Sequence, residues 1–413
     1  MPKRYLLLFL PLLLLCFRAA CGQTHDLDYY LTAGLQHSPL LLDYQNQQRS
    51  NLIDSLQVYA SYKPQLSASA TATEAPLGRH FGYDEAITDG GNYTGVVSIT
   101  KDLLYGRNRA VQLQNLRLLN QSLAAQRQME VQDLKRTITA QYITTYADFR
   151  QMQFNRQVLD ILQDEQPALQ KLVQNGVYLQ TDYLNLNINI KAQAIAYRQA
   201  SIQYQFDLNG LRILCGIVDT AAVTLAPPAL QVQNLVSVDL TPTLQKYRLD
   251  SLQLAVNKRL IDLNYRYKLS AFADAGVMAT TPQSMPQHLG TSFGLNFSVP
   301  LYDGGQRRLE YQKLSIAEQT RAQYRDFYLR QYRMQQQQLL QQLAATSQLL
   351  QDIQEQLASQ QKLLDMYKVE IAAGLVRFTD FILVITAYAE TQNNLVQAEI
   401  GRFQIVNEYN NLK

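Results

Sequence analysis

Two stretches of this 413-residue chain carry almost nothing that would interrupt a helix. Between Arg107 and Val173 there is no glycine and the only proline is Pro167; between Gln306 and Ala373 there is neither. Unbroken helix over either stretch would be on the order of 100 Å long, several times an ordinary globular helix. The second stretch also carries its packing pattern. Leu339, Leu343, Thr346, Leu350, Ile353, Leu357, Gln360, Leu364, Tyr367 and Ile371 step 4-3-4-3 without a slip, which is a coiled-coil seam. Thr346 and Gln360 are costly in a dry two-stranded coil and better tolerated in the wall of a wide tube with one wetter face.

Glycines punctuate both stretches at one interval. Gly176, opening "GVYLQTD", and Gly374, opening "GLVRFTD", lie 198 residues apart, as do Gly106 in "LLYGRNR" and Gly304 in "LYDGGQRR". Each long helix is predicted to end at its glycine, where a left-handed C-terminal residue costs least. Thr181 or Asp182, and Thr379 or Asp380, then cap a returning helix. Each Gly-x4-Thr-Asp reads as the tip of a helical hairpin.

Upstream of each long helix the period changes to two. Leu66, Ala68, Ala70 and Ala72 alternate with Ser67, Ser69 and Thr71, and Gly95, Val97 and Ile99 with Thr94, Val96 and Ser98. The second half repeats this with Leu269, Ala271, Ala273, Ala275 and Val277, then Phe293, Leu295, Phe297 and Val299. Runs of about 9–11 residues match strands that cross a bilayer when tilted. One further helix precedes each hairpin, over 39–62 and 242–267. The expected fold is mainly α with a small β part, one large unit occurring twice. The first unit, 23–215, holds a β-hairpin over 65–102, a long helix over 107–173 and a return helix over 181–214. A connector spans 216–240. The second unit, 241–413, holds a β-hairpin over 269–301, a long helix over 306–373 and a return helix over 379–412.

The N-terminus reads as an export signal over 1–22. Lys3 and Arg4 precede the apolar run Leu6–Phe17, with small residues at Ala19-Ala20-Cys21-Gly22. Cleavage before Gln23 is one reading; cleavage at 20/21, leaving Cys21 as a lipidated first residue, is the other. Arg18 stands where a lipobox has an aliphatic residue, which favours the first. Cys16 leaves with the signal, so Cys215 has no intrachain partner to bridge. With 17% charged residues and a formal charge of +3, no nucleic-acid partner is expected. His80 and His288 are lone loop histidines rather than a metal pair. Asp89-Gly90-Gly91 is a turn, and Asp303-Gly304-Gly305 lacks the lysine of a phosphate cradle. No catalytic set, cofactor site or metal site is recognisable by spacing, so no enzyme is expected.

Four strands cannot close a barrel, and open edges cannot sit in lipid. The chain must pool strands with other copies: two protomers give eight strands and a filled interior, three give twelve and room for a lumen. In this order and at these spacings the chain resembles the TolC-like outer-membrane efflux protein family. The most specific matches are "VPLYDGGQRR" (Val299–Arg308) and the two tips; "LTAGLQHSPLLLDYQNQ" is similar to the family's opening segment. The first barrel exit departs from the second, with Asp102 opposite Pro300 and Arg107 opposite Gly305.

The resemblance implies a homotrimer with a transmembrane 12-stranded β-barrel in the outer membrane of a Gram-negative bacterium, continued by an α-helical barrel in the periplasm. Pro300, Gly304, Gly305 and Gly106 would mark the barrel-to-helix junctions. Gly176, Val177, Gly374, Leu375 and Val376 would dock a periplasmic adaptor (membrane fusion) protein linked to an inner-membrane transporter. Thr181, Asp182 and Asp380 would line the tunnel constriction, although helix capping alone accounts for a Thr-Asp after a turn. Three positions differ from the family's tip: Ile371 replaces an aromatic, Val376 a basic residue and Leu383 an acidic one.

Two functional classes remain. One is a passive export conduit, for small molecules or for secreted polypeptides; the other is a non-conducting periplasmic coiled-coil protein. The conduit reading explains the repeated interval, since both hairpins must reach the same depth. Deleting one heptad from a single long helix should shorten that hairpin by roughly 10 Å and abolish export. Matched deletions in both helices should be milder. Equal export defects in the single and paired deletions, with normal folding, would refute equal reach as the reason for the interval.

Overall fold

The computed structural model describes residues 24–76, 81–82, 90–219, 221, 223–233, 238 and 241–412; the signal segment, Cys21, His80 and Asp89 lie outside the described residues. In chain order the elements are β1 (Thr24–His25), α1 (Leu27–His37), α2 (Pro39–Ser61), β2 (Gln65–Glu74), β3 (Gly91–Asp102), α3 (Gly106–Gln174), α4 (Gln180–Cys215) and β4 (Thr224–Leu225). There follow α5 (Pro242–Asn264), β5 (Lys268–Ala279), a 3₁₀ helix (Pro282–Gln287), β6 (Leu289–Ser298), α6 (Gln306–Ala372) and α7 (Phe378–Asn410). The structure is mostly helical with a small sheet part, and α3 runs on through Pro167.

The residues form two compact units: Leu42–Gln128 with Val238–Tyr328, and the remainder. The first contains the four-stranded antiparallel sheet, in the order β2-β3-β5-β6. Beside it, Val111 near the start of α3 packs with Val256 and Leu263 of α5. Polar side chains add to this packing: Asn51 of α2 donates to the Leu116 carbonyl at 2.8 Å, and Arg321 of α6 to the Tyr247 carbonyl at 3.0 Å.

The second unit is helical around three clusters of buried residues. In one, Tyr30 of α1 packs with Ile138, Tyr142 and Ile143 of α3, Leu208, Leu211 and Cys215 of α4, and Val396 and Ile400 of α7. Gly34 lets α1 approach closely, because a Cβ there would lie 2.3 Å from Ile138 Cδ1. The pairing of β1 with β4 is parallel and only two residues long; Tyr142 secures it by donating its hydroxyl to the Ala226 carbonyl at 2.6 Å. The seam read from sequence lies inward: Leu339, Leu350, Ile353, Leu364 and Ile371 are buried, and Leu343, Thr346, Leu357, Gln360 and Tyr367 half-buried.

Two carboxyl groups, Asp148 of α3 and Asp207 of α4, lie side by side. Asp207 accepts from Gln203 Nε2 at 2.5 Å and from Gln141 Nε2 at 3.3 Å. Asp148 Oδ2 is buried, and no neighbour donates to it. Burial, reinforced by the adjacent Asp207, pushes the Asp148 carboxyl up to about 7. Protonated, Asp148 becomes the donor to Asp207, whose pKa that hydrogen bond and the two glutamines hold down against the opposing effect of burial. A carboxyl raised in the folded state makes the fold bind more protons than the unfolded chain between about pH 4 and pH 7, so its ionisation costs stability as pH rises through that window. Asp148→Asn should flatten that loss. Thermal unfolding of wild type and variant from pH 5 to pH 8 checks it; parallel curves would contradict the assignment.

Candidate functional site

Both hairpin tips are built by the same local rules. At the end of α3 the Gly176 N–H donates to the Val173 carbonyl at 3.0 Å and Val177 N–H to Leu172 at 2.9 Å. At the end of α6, Gly374 donates to Ile371 and Leu375 to Glu370, each at 3.0 Å. These are Schellman motifs with the glycine left-handed, φ 75° and 71°. The return helices are capped two residues before the threonine and three before the aspartate that the sequence offers as caps. Leu179 and Arg377 occupy the N-cap positions, which puts Asp182 and Asp380 at the third helical position. Asp182 reaches back to accept from the Leu179 N–H at 3.1 Å, satisfying one of the donors a helix start leaves free. Asp380 instead meets Arg377 Nε at 3.4 Å. The basic partner therefore sits at Arg377, next to the Val376 position where the family places it.

The tips also bind each other. Tyr178 donates its hydroxyl to the Val376 carbonyl at 2.7 Å. Beneath them Leu169, Leu186, Leu364, Ile371, Phe378 and Phe381 are fully buried. Ile371 thus serves as core in place of an aromatic. Val177 and Leu375 are 50% and 76% exposed, while Val376 is half-buried; Thr181 and Leu383 are exposed, and Asp182 and Asp380 partly covered.

The sheet has two chemically different faces, fixed by register. Leu66 pairs with Ile99, Ile99 with Ala273 and Ala273 with Phe293. Ala68–Val97–Ala275–Thr291 forms the next row on that face. Phe293, Leu295, Phe297 and Leu66 are 89%, 68%, 62% and 73% exposed. Charges on this face stand only at its ends, Glu74 at the loop end and Lys101 at the helix end. Aromatics flank it in the same way: Tyr93 donates to Glu74 Oε1 at 2.6 Å, and Tyr267 lies against Phe297 with ring centroids 6.4 Å apart. The opposite face carries Ser67, Ser69, Thr94, Ser98, Ser292, Asn296 and Ser298.

At the second junction Pro300 follows the end of β6, since it cannot donate to a ladder. Gly304 and Gly305 are both left-handed, φ 64° and 83°, and the Asp303 carboxylate accepts from the N–H groups of Gly305 at 2.8 Å and Arg307 at 2.9 Å. Arg307 also bridges to Asp262 at 2.5 Å. The first junction differs. Gly106 is already the first helical residue and has open space around it. There, stacked Tyr62 and Tyr105, with Arg109 over Tyr105, fill the corner.

The two tip glycines should respond differently to alanine. A Cβ at Gly176 meets open space, whereas one at Gly374 would lie 2.7 Å from Val177 Cγ1. Gly176→Ala should cost about 1–2 kcal/mol for the left-handed backbone alone. Gly374→Ala adds a clash with a stiff β-branched side chain and should cost more. Chemical unfolding of the two variants compares them, and equal losses would show that the Val177 contact is slack.

No protein-family model matches the chain, nor does any curated protein. Solved structures do. CusC, studied for the changes accompanying its folding and transmembrane channel formation, aligns with a TM-score of 0.76 at 12% identity, over 95% of this chain and 92% of that one. The outer membrane protein VceC of Vibrio cholerae aligns at 0.73 and 15%, over 93% and 95%. The MtrE outer membrane channel of Neisseria gonorrhoeae, in its open state, aligns at 0.72 and 12%, over 94% and 88%. At such identities the likeness is one of fold, extending over nearly the whole length of each chain: this protein has the fold of the TolC-like outer-membrane channels.

Proposed function

We propose that this chain is one protomer of a trimeric outer-membrane channel, a passive conduit in a tripartite export system. The observation that carries this reading is the sheet. Its apolar face is exposed and flanked by tyrosines, and its outer strands β2 and β6 each have one unpaired edge. A transmembrane strand must have every backbone group satisfied. Pairing β6 of one copy with β2 of the next meets that requirement, and three copies of the four-stranded sheet give twelve strands around a lumen. The apolar face then meets lipid and the polar face meets water.

A second surface supports self-association. Leu184, Ile188, Ile195, Ile202, Phe206 and Ile213 of α4 are exposed at intervals of four and seven residues, the spacing of a coiled-coil seam without its partner helix. A second copy supplies such a helix. At the tips, exposed Val177 and Leu375 offer apolar contacts for a periplasmic adaptor, which links the channel to an inner-membrane transporter. Asp182 and Asp380 would form the constriction. A non-conducting periplasmic stalk has no use for a lipid-facing sheet, and the proposed role is not enzymatic. Small molecules and secreted polypeptides both fit such a conduit.

The purified protein in detergent should have the mass of a trimer; a monomer or dimer as the stable, active form would overturn the closed barrel. Leu295→Lys should cost about 2–4 kcal/mol if that position lies near the bilayer midplane, and Asn296→Lys far less. Equal tolerance at the two neighbouring positions would mean that the register, or the barrel itself, is wrong.

A further inference from the structure

The polar face of the sheet carries one charge away from its ends, and that charge is uncompensated. Asp274 lies mid-strand on β5, in a row that the register extends across all four strands: Ser67–Ser98–Asp274–Ser292. Its carboxylate accepts from the Ser98 hydroxyl on one side and from Ser292 Oγ at 3.3 Å on the other. Both donors are neutral. Among the described residues no lysine, arginine or histidine forms an ion pair with Asp274. The other charges on this face, Asp102 and Lys268, stand at the strand ends beside the helices.

The surroundings leave the carboxylate partly exposed. Gly276, Gly290 and Gly294 lie on the same face of β5 and β6 and present no side chain. The nearest large group, Phe272, lies over Gly294, where a Cβ would fall 2.7 Å from its ring. Behind the strand is the apolar face. A charge backed by a low-dielectric wall sends its field preferentially into the water in front of it. The hydroxyls of the row add oxygen dipoles that suit a passing cation and offer an anion no charge.

We propose that Asp274 is a specificity-determining residue: it makes the strand-lined part of the conduit favour cationic solutes over anionic ones. This rests on the channel reading above. Each copy contributes one carboxylate, so the ring is complete only in the closed assembly, and it is separate from the carboxylates at the helical tips.

The test is the reversal potential of the full-length protein reconstituted in planar lipid bilayers under a potassium chloride gradient. Wild type should prefer potassium over chloride. At about 0.1 M salt, where screening acts over about 10 Å, Asp274→Asn should lower that preference roughly fourfold. Asp274→Glu should retain it. Asp274→Ser, which continues the serine row, should behave like the asparagine variant and guards against a folding defect particular to one substitution. Conducting Asn and Ser variants with unchanged selectivity would overturn this inference and leave the channel standing. A wild-type protein that inserts but does not conduct would overturn the channel reading, and the inference with it.

Discussion

The outer edges of β2 and β6 are the constraint on which the rest of the structure depends. Each edge carries a row of backbone donors and acceptors with no strand beside it among the described residues. In water such a row is a hazard; in hydrocarbon it is prohibitive. Packing within the sheet does not relieve it, because among the described residues Leu66, Phe293, Leu295 and Phe297 of the apolar face stay largely exposed. In the proposed assembly a further strand at each edge would meet the demand, and the regular register across β2, β3, β5 and β6 leaves both edges in line for one.

The helical unit solves a different problem with the same economy of means. Long helices need their ends fixed, and both tips use a left-handed glycine followed by an acidic residue at the third position of the return helix. The details then diverge. Asp182 caps its own helix through the Leu179 N–H, while Asp380 is held by Arg377. One tip thus keeps its carboxylate for the backbone, and the other ties it to a largely exposed cation.

Much of this was legible because it is periodic. A 4-3 seam over 339–371 and period-2 strands declare themselves in any window long enough to hold several repeats. What escaped was short or long-range. Two-residue strands such as β1 and β4 carry no period, and their pairing joins Thr24 to Thr224. Helix α1 was hidden by its length and by Gly34, which reads as a breaker until Ile138 is seen against it. The Asp148–Asp207 pair links positions on separate helices, and neither residue is unusual in its own stretch of sequence. At the tips the Thr-Asp pairs sit two and three residues inside the helices they are expected to cap, since an aspartate that reaches back from the third position, as Asp182 does, looks in sequence like one at the N-cap itself. Asp274 was passed over because a single aspartate in an alternating strand looks like one more polar position; its isolation is visible only once all four strands are in register.

The two free edges are not alike. β2 is a run of serine, alanine and threonine, while β6 carries phenylalanine, leucine and glycine. Growth by adding β6 to β2 is head-to-tail, and head-to-tail growth either closes into a ring or continues as a filament. In the proposed ring, every assembly short of closure would have the same two unpaired edges as the single chain, so partial assemblies would gain no relief for their termini. Closure alone would remove them, which would make completion of the ring the cooperative step and leave incomplete rings exposed to capture by other strands.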